Sequence, residues 1–138
     1  MDSSFSTFER TLAAAGLFVF AAGCLLVRFF NPSTAGFFPG CPLLELTGFA
    51  CPGCGLTRGF HSLFHGDVLA ALDFNALLPF FAISFVYLVI LLISIAMRGK
   101  SLSFTIFTPA SLWTFLGFAA VFFVLRNVPG YPFEILFP

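Results

Sequence analysis

Apolar positions run together along this chain in three blocks, with most of the polar punctuation gathered between the first and the second. The first block, Thr11 to Val27, is bounded by Arg10 and Arg28, and Phe29 and Phe30 extend it past the second arginine. The second runs from Asn75 to Met97 without a charge and stops at Arg98. The third opens at Pro109, carries Trp113 near its mouth and ends at Arg126. Crossing a hydrocarbon core of ~30 Å takes about 20 helical residues. The pattern therefore predicts three transmembrane helices, over about residues 11–30, 75–97 and 109–126 of one membrane domain spanning residues 1–138. Pro79 falls in the first turn of the second helix, where a missing N–H costs little. Trp113 and Tyr131 suit the two membrane interfaces, where amphipathic rings settle. The first block is longer than the ~7–15 residues of a signal-peptide core, and Arg28 interrupts the approach to the small residues Ser33, Thr34 and Ala35, so a retained span is expected.

Composition agrees with the pattern. Of 138 residues, 59% are hydrophobic, 9% are charged and 23 are phenylalanine, against roughly 45–50% apolar and about 25% charged in a soluble domain. A water-soluble fold of this size would leave much of that surface exposed to solvent. Six basic and six acidic residues cancel, which removes the electrostatic footprint of a nucleic-acid binder. The expected class is an all-α integral membrane protein whose first partner is the lipid bilayer. Three spans put Arg10, Arg98 and Lys100 on one side and Arg28, Arg58 and Arg126 on the other, a tie under the positive-inside rule. The short Arg98–Lys100 loop breaks the tie in favour of an inner N-terminus, which places the 31–74 connection on the periplasmic or exterior side.

That connection carries the chemistry. It contains Cys41-Pro42, then Cys51-Pro52-Gly53-Cys54-Gly55-Leu56-Thr57-Arg58, then His61, His65, Gly66 and Asp67. Three of the four cysteines, both histidines and one of the five arginines lie between residues 41 and 65. A short interfacial or re-entrant amphipathic helix is predicted from about Gly53 to Gly66, with Asp67 capping a following turn from Val68 to Leu72. At ~100° per residue, Cys54, Arg58, His61 and His65 fall within a sector of about 60°. This stripe has none of the usual solvent-facing filler.

Three uses of the cysteines follow. A C-x-x-C pair at a helix start, with Arg58 one turn on, favours thiolate at Cys54 and suits redox chemistry, although no βαβ pattern surrounds it. Cys51, Cys54, His61 and His65, or Cys41 in place of one histidine, are ligand types for tetrahedral zinc. A continuous helix would nevertheless hold Cys54 roughly 10 Å from His61 and about 16 Å from His65; zinc needs a helix that begins nearer Thr57 with the cysteine turn folded back over it. Finally, Cys41 could form a structural disulfide with Cys51 or Cys54, with Cys24 left as a small buried hydrophobe. Arg28 and Arg126 end spans on the motif side, beside Glu45, Asp67, Asp73 and Glu134. They are expected to snorkel to headgroups, or to pair with Asp67 or Asp73 and anchor the loop.

The string from Cys51 to Arg58, with His65-Gly66-Asp67, Ala71 to Asn75, the upstream Cys41-Pro42 and the terminal Arg126-Asn127-Val128-Pro129, resembles the bacterial membrane family of unknown function DUF2752. The family usually has Asn-Pro where this chain has Asn75-Ala76, so any role of that proline is absent here or passes to Pro79. The resemblance implies a small bacterial integral membrane protein and brings no substrate or reaction. No Gly-x-Ser-x-Gly elbow, Walker loop or dinucleotide fingerprint occurs, and no charge inside the second or third span marks an ion relay. The leading expectation is a non-enzymatic module with no cofactor, whose Cys/Arg/His loop is structurally fixed and docks another membrane protein or a second copy. The rival is a thiol-redox or zinc-handling protein. Candidate site residues are Cys41, Cys51, Pro52, Gly53, Cys54, Gly55, Thr57, Arg58, His61, His65, Asp67, Asn75 and Arg126.

Overall fold

Ser6 and Thr108 begin helices by the same device. Each hydroxyl caps a backbone N–H three residues on, while Glu9 and Ser111 return a bond to the cap's own N–H, which satisfies donors that a helix start leaves orphaned. The computed structural model describes residues 5–102 and 108–130; Tyr131 and Glu134 lie outside the described residues. Among these residues the chain is all-helical: α1 Thr7–Phe29, α2 Pro42–Thr47, α3 Leu56–Phe64, α4 Val68–Phe74, α5 Leu78–Arg98 and α6 Pro109–Arg126. Helices α1, α5 and α6 are long and apolar enough to cross a membrane, and their outward residues include Phe18, Ile83 and Phe118, each more than 60% exposed. Such surfaces fit lipid.

The boundaries depart from the sequence pattern where caps act. Helix α1 starts at Thr7 rather than near residue 11 because the Ser6 cap draws Glu9 and Arg10 into its first turn. Helix α5 starts at Leu78, since Asn75 closes α4 instead of opening the span. Helix α3 begins at Leu56, not Gly53, because Gly55 sits in the left-handed region at φ 82°, a conformation glycine adopts at no steric cost.

The chain divides into two compact units, Met1–Leu26 with Phe80–Ile106 and Val27–Pro79 with Phe107–Pro138. In the first, α1 and α5 run antiparallel. Arg10 meets Ala96, Gly16 faces Leu92, and Phe20 meets Phe85 edge-on with ring centroids 5.4 Å apart. Arg10 donates to the carbonyls of Ala96 and Met97, each at 3.1 Å, so a cation closes the negative end of α5.

The second unit is built around a tight α3–α4 pair. Gly59 is buried in α3, and a Cβ there would come within 3.0 Å of the Ala71 carbonyl oxygen and 2.5 Å of Leu78 Cδ1. Asp67 caps α4 by accepting from Ala70 N at 2.9 Å, and α4 runs on to Phe74, two residues beyond its expected end. Every one of the last four carbonyls of α3 is satisfied. His65 Nδ1–H serves His61; backbone N–H groups of His65 and Asp67 serve Ser62; Gly66 serves Leu63; and the Arg28 guanidinium serves Phe64. In return His61 Nδ1–H donates to the Val27 carbonyl at 2.6 Å, one of the orphaned acceptors ending α1.

A clamped thiol cluster as candidate functional site

Two distant side chains bond carbonyls of the turn from Cys51 to Gly55, and a third holds Ala50 just before it. Asn75, 1% exposed, donates through Nδ2 to Pro52 O at 2.8 Å and Cys54 O at 3.1 Å, while its Oδ1 accepts from Leu77 N at 2.9 Å. Arg126, also 1% exposed, donates through Nη1 to Cys51 O at 2.9 Å and Cys54 O at 3.2 Å, with its guanidinium carbon 4.9 Å from the Phe122 ring centroid. Asn127 pairs with both backbone groups of Ala50, accepting from its N–H at 2.8 Å and donating to its carbonyl at 2.9 Å. The expected snorkelling of Arg126 is replaced by burial, with Nη1 donating to two carbonyls of the turn. Nor do Asp67 and Asp73 pair with an arginine among the described residues: Asp67 is spent on its cap, and Arg28 caps α3.

So held, the turn presents its thiols to Cys41, the N-cap residue of α2. The Cys41 and Cys54 thiols lie 3.4 and 3.3 Å from Cys51 Sγ, and all three sulfurs fall within 4.8 Å of one another. The four cysteines are free thiols, and no disulfide joins them. Their acidities diverge. Cys54, 5% exposed, is pushed up to about 12 by burial and by the neighbouring thiols. Cys41 falls to about 7, chiefly because the Cys54 thiol donates to its sulfur, with smaller help from Leu44 and Cys51 against the opposing effect of burial. The expectation of an acidified Cys54 is thus overturned. The helix starts two residues after Cys54, and burial outweighs the dipole and Arg58.

The histidines stand apart from this group. Their Nδ1 atoms are engaged with Val27 and His61 carbonyls, and their ring centroids lie 4.5 Å apart. The stripe drawn on the sequence therefore splits: Cys54 turns into the thiol cluster, while His61 and His65 lock helix ends. Arg58 lies over the Phe74 ring at 5.5 Å and, with Thr57, Gly53, Gly55 and the three cysteines, lines a cleft of ≈ 550 Å³. Pro52 contributes its carbonyl to Asn75. Sequence reasoning misses Asn127, Ala50 and Gly59 as residues that build the site. A side-chain amide next to a span-ending arginine and the small residues facing it are the signals that point to them.

Fold and site define a multi-pass α-helical membrane protein with a clamped, three-thiol turn. Residues 41–89, roughly a third of the chain, match the model of a family described as a protein of unknown function, DUF2752. The matched stretch holds all three clustered cysteines, Arg58 and Asn75; Arg126 and Asn127 lie beyond it. No curated protein and no solved structure matches the chain.

Proposed function

We propose that the protein is a membrane-anchored thiolate centre that holds one zinc-class metal ion on Cys41, Cys51 and Cys54. The observation that carries this reading is the convergence of three sulfurs within 4.8 Å. With Zn–S bonds of ≈ 2.3 Å, tetrahedral coordination spaces sulfurs about 3.8 Å apart, a small adjustment from 3.3 and 3.4 Å. A bound dication displaces thiol protons outright, and the buried Arg126 beside the turn supplies charge against the three thiolates. Fixing of the motif loop, expected as a platform for a partner or a second copy, here serves the cluster. The proposed address of the motif loop is the outer side of a bacterial inner membrane, the side argued from the short Arg98–Lys100 loop and the bacterial membrane implied by the family resemblance.

Elemental analysis of protein purified under reducing conditions in detergent is expected to find about one zinc per chain. Cys41→Ser, Cys51→Ser and Cys54→Ser each abolish it, and His61→Ala with His65→Ala does not. Metal-free protein with four freely titrating thiols would overturn the reading. A disulfide found by non-reducing mass spectrometry in that preparation would turn it to thiol redox.

A further inference from the structure

We infer that the cleft before the three thiols is the open fourth position of that metal, and that it takes a small anionic ligand steered by Arg58. This rests on the metal reading above. Among the described residues the metal-capable group ends at three cysteines. Zinc sites with three protein ligands keep the fourth position for water or an incoming ligand, and closed structural sites do not. The three thiols line a cleft of ≈ 550 Å³, inside the ~300–1,000 Å³ range of small-molecule pockets, so the open position faces a space that a ligand can fill.

Charge selects the ligand class. A dication and three thiolates sum to one negative charge, and the Arg126 guanidinium, bound to the Cys51 and Cys54 carbonyls, offsets it. Arg58 then stands in the cleft wall as a second cation. It is half-buried, lies over the Phe74 ring, and makes no hydrogen bond to the described residues, so its five N–H donors are available. Ser33 and Thr57 add hydroxyls to the same wall. Glu45 is the opposing charge in the cleft. It is exposed, and its carboxylate lies so close against Gly40 that a Cβ there would collide with Oε1. Water screens it more than it screens Arg58, but it is the one protein group in the cleft that could compete for the fourth position.

The test uses the full chain in detergent, loaded with Co²⁺ and titrated with sodium azide. Sulfur-to-cobalt charge-transfer absorption reports the three-thiolate site, and the d–d bands report the fourth position. The wild type is expected to shift its d–d bands saturably with azide. Arg58→Gln weakens azide binding roughly tenfold or more, the worth of a charge-assisted hydrogen bond, while the charge-transfer absorption is retained; Arg58→Lys falls between. Glu45→Gln leaves the azide response in place. Charge-transfer bands with d–d bands indifferent to azide would overturn the inference and leave the metal reading standing. The inference is equally overturned if Glu45→Gln reshapes the d–d bands before azide is added, since Glu45 is then the fourth ligand. An azide response untouched by Arg58→Gln removes Arg58 from the site. Absence of charge-transfer absorption removes the metal, and this inference with it.

Discussion

Cys41 and Cys54 carry the same thiol in different environments: burial dominates at Cys54, and an accepted hydrogen bond dominates at Cys41. Burial, and then hydrogen bonds donated to the neighbouring thiols, push Cys54 up to about 12; Cys41, whose sulfur accepts a hydrogen bond from the Cys54 thiol, falls from 9.0 to about 7. In metal-free protein, iodoacetamide labelling of Cys41 should therefore rise with a midpoint near pH 7, as read by peptide mass spectrometry, with Cys54 unreactive across the neutral range. Because the folded value for Cys41 lies below its unfolded one, its ionisation favours the folded state. That contribution is complete above about pH 9 and is lost as pH falls through about 7. Asn75 makes a second residue-scale case. Asn75→Ala leaves the half-buried Pro52 carbonyl without its donor, at an expected cost of about 1 kcal/mol, measurable as a lowered unfolding midpoint in detergent.

At the scale of elements, the α3–α4 pair decides where the thiol turn sits, and Gly59 sets how closely the two helices approach. Gly59→Val must displace the Leu78 side chain and press on the Ala71 carbonyl, an overpacking expected to cost about 1–3 kcal/mol. Thermal unfolding of the variant checks it. Leu78 can rotate away but the Ala71 backbone cannot, so the loss should persist in a Gly59→Val/Leu78→Ala double variant. Helix ends are managed by exchange: α3 supplies His61 to α1, and the end of α1 supplies Arg28 to α3. In an apolar solvent a carbonyl without a donor is costly, which makes these two contacts a plain use for residues that a sequence reader is inclined to assign to chemistry.

For the molecule as a whole, the compact unit holding the thiols is distinct from the one formed by Met1–Leu26 and Phe80–Ile106. A ligand that binds only the folded site stabilises the unit containing it, by about 2.7 kcal/mol at a hundredfold excess over Kd. Stripping the proposed metal with a chelator is accordingly expected to speed amide hydrogen exchange in α3 and α4 and to leave the central turns of α5 unchanged. Equal acceleration in α5 would show one cooperative unit instead of two.

The sequence by itself determined the three spans and the helical class, because a membrane helix satisfies its own backbone and declares itself by local composition. Caps such as Asp67, and the dense stretch from Cys41 to His65 as the place to look, were legible for the same reason: the signals act within a few residues. The tertiary structure alone decided which groups meet. Cys41 joins the cluster from the cap of α2, Arg126 reaches the turn from 72 and 75 residues away, and His61 finds Val27 rather than a thiol. Periodicity places a residue on a face of its own helix, but what that face meets depends on how the helices pack, and a start at Leu56 rather than Gly53 was enough to take Cys54 off the histidine stripe.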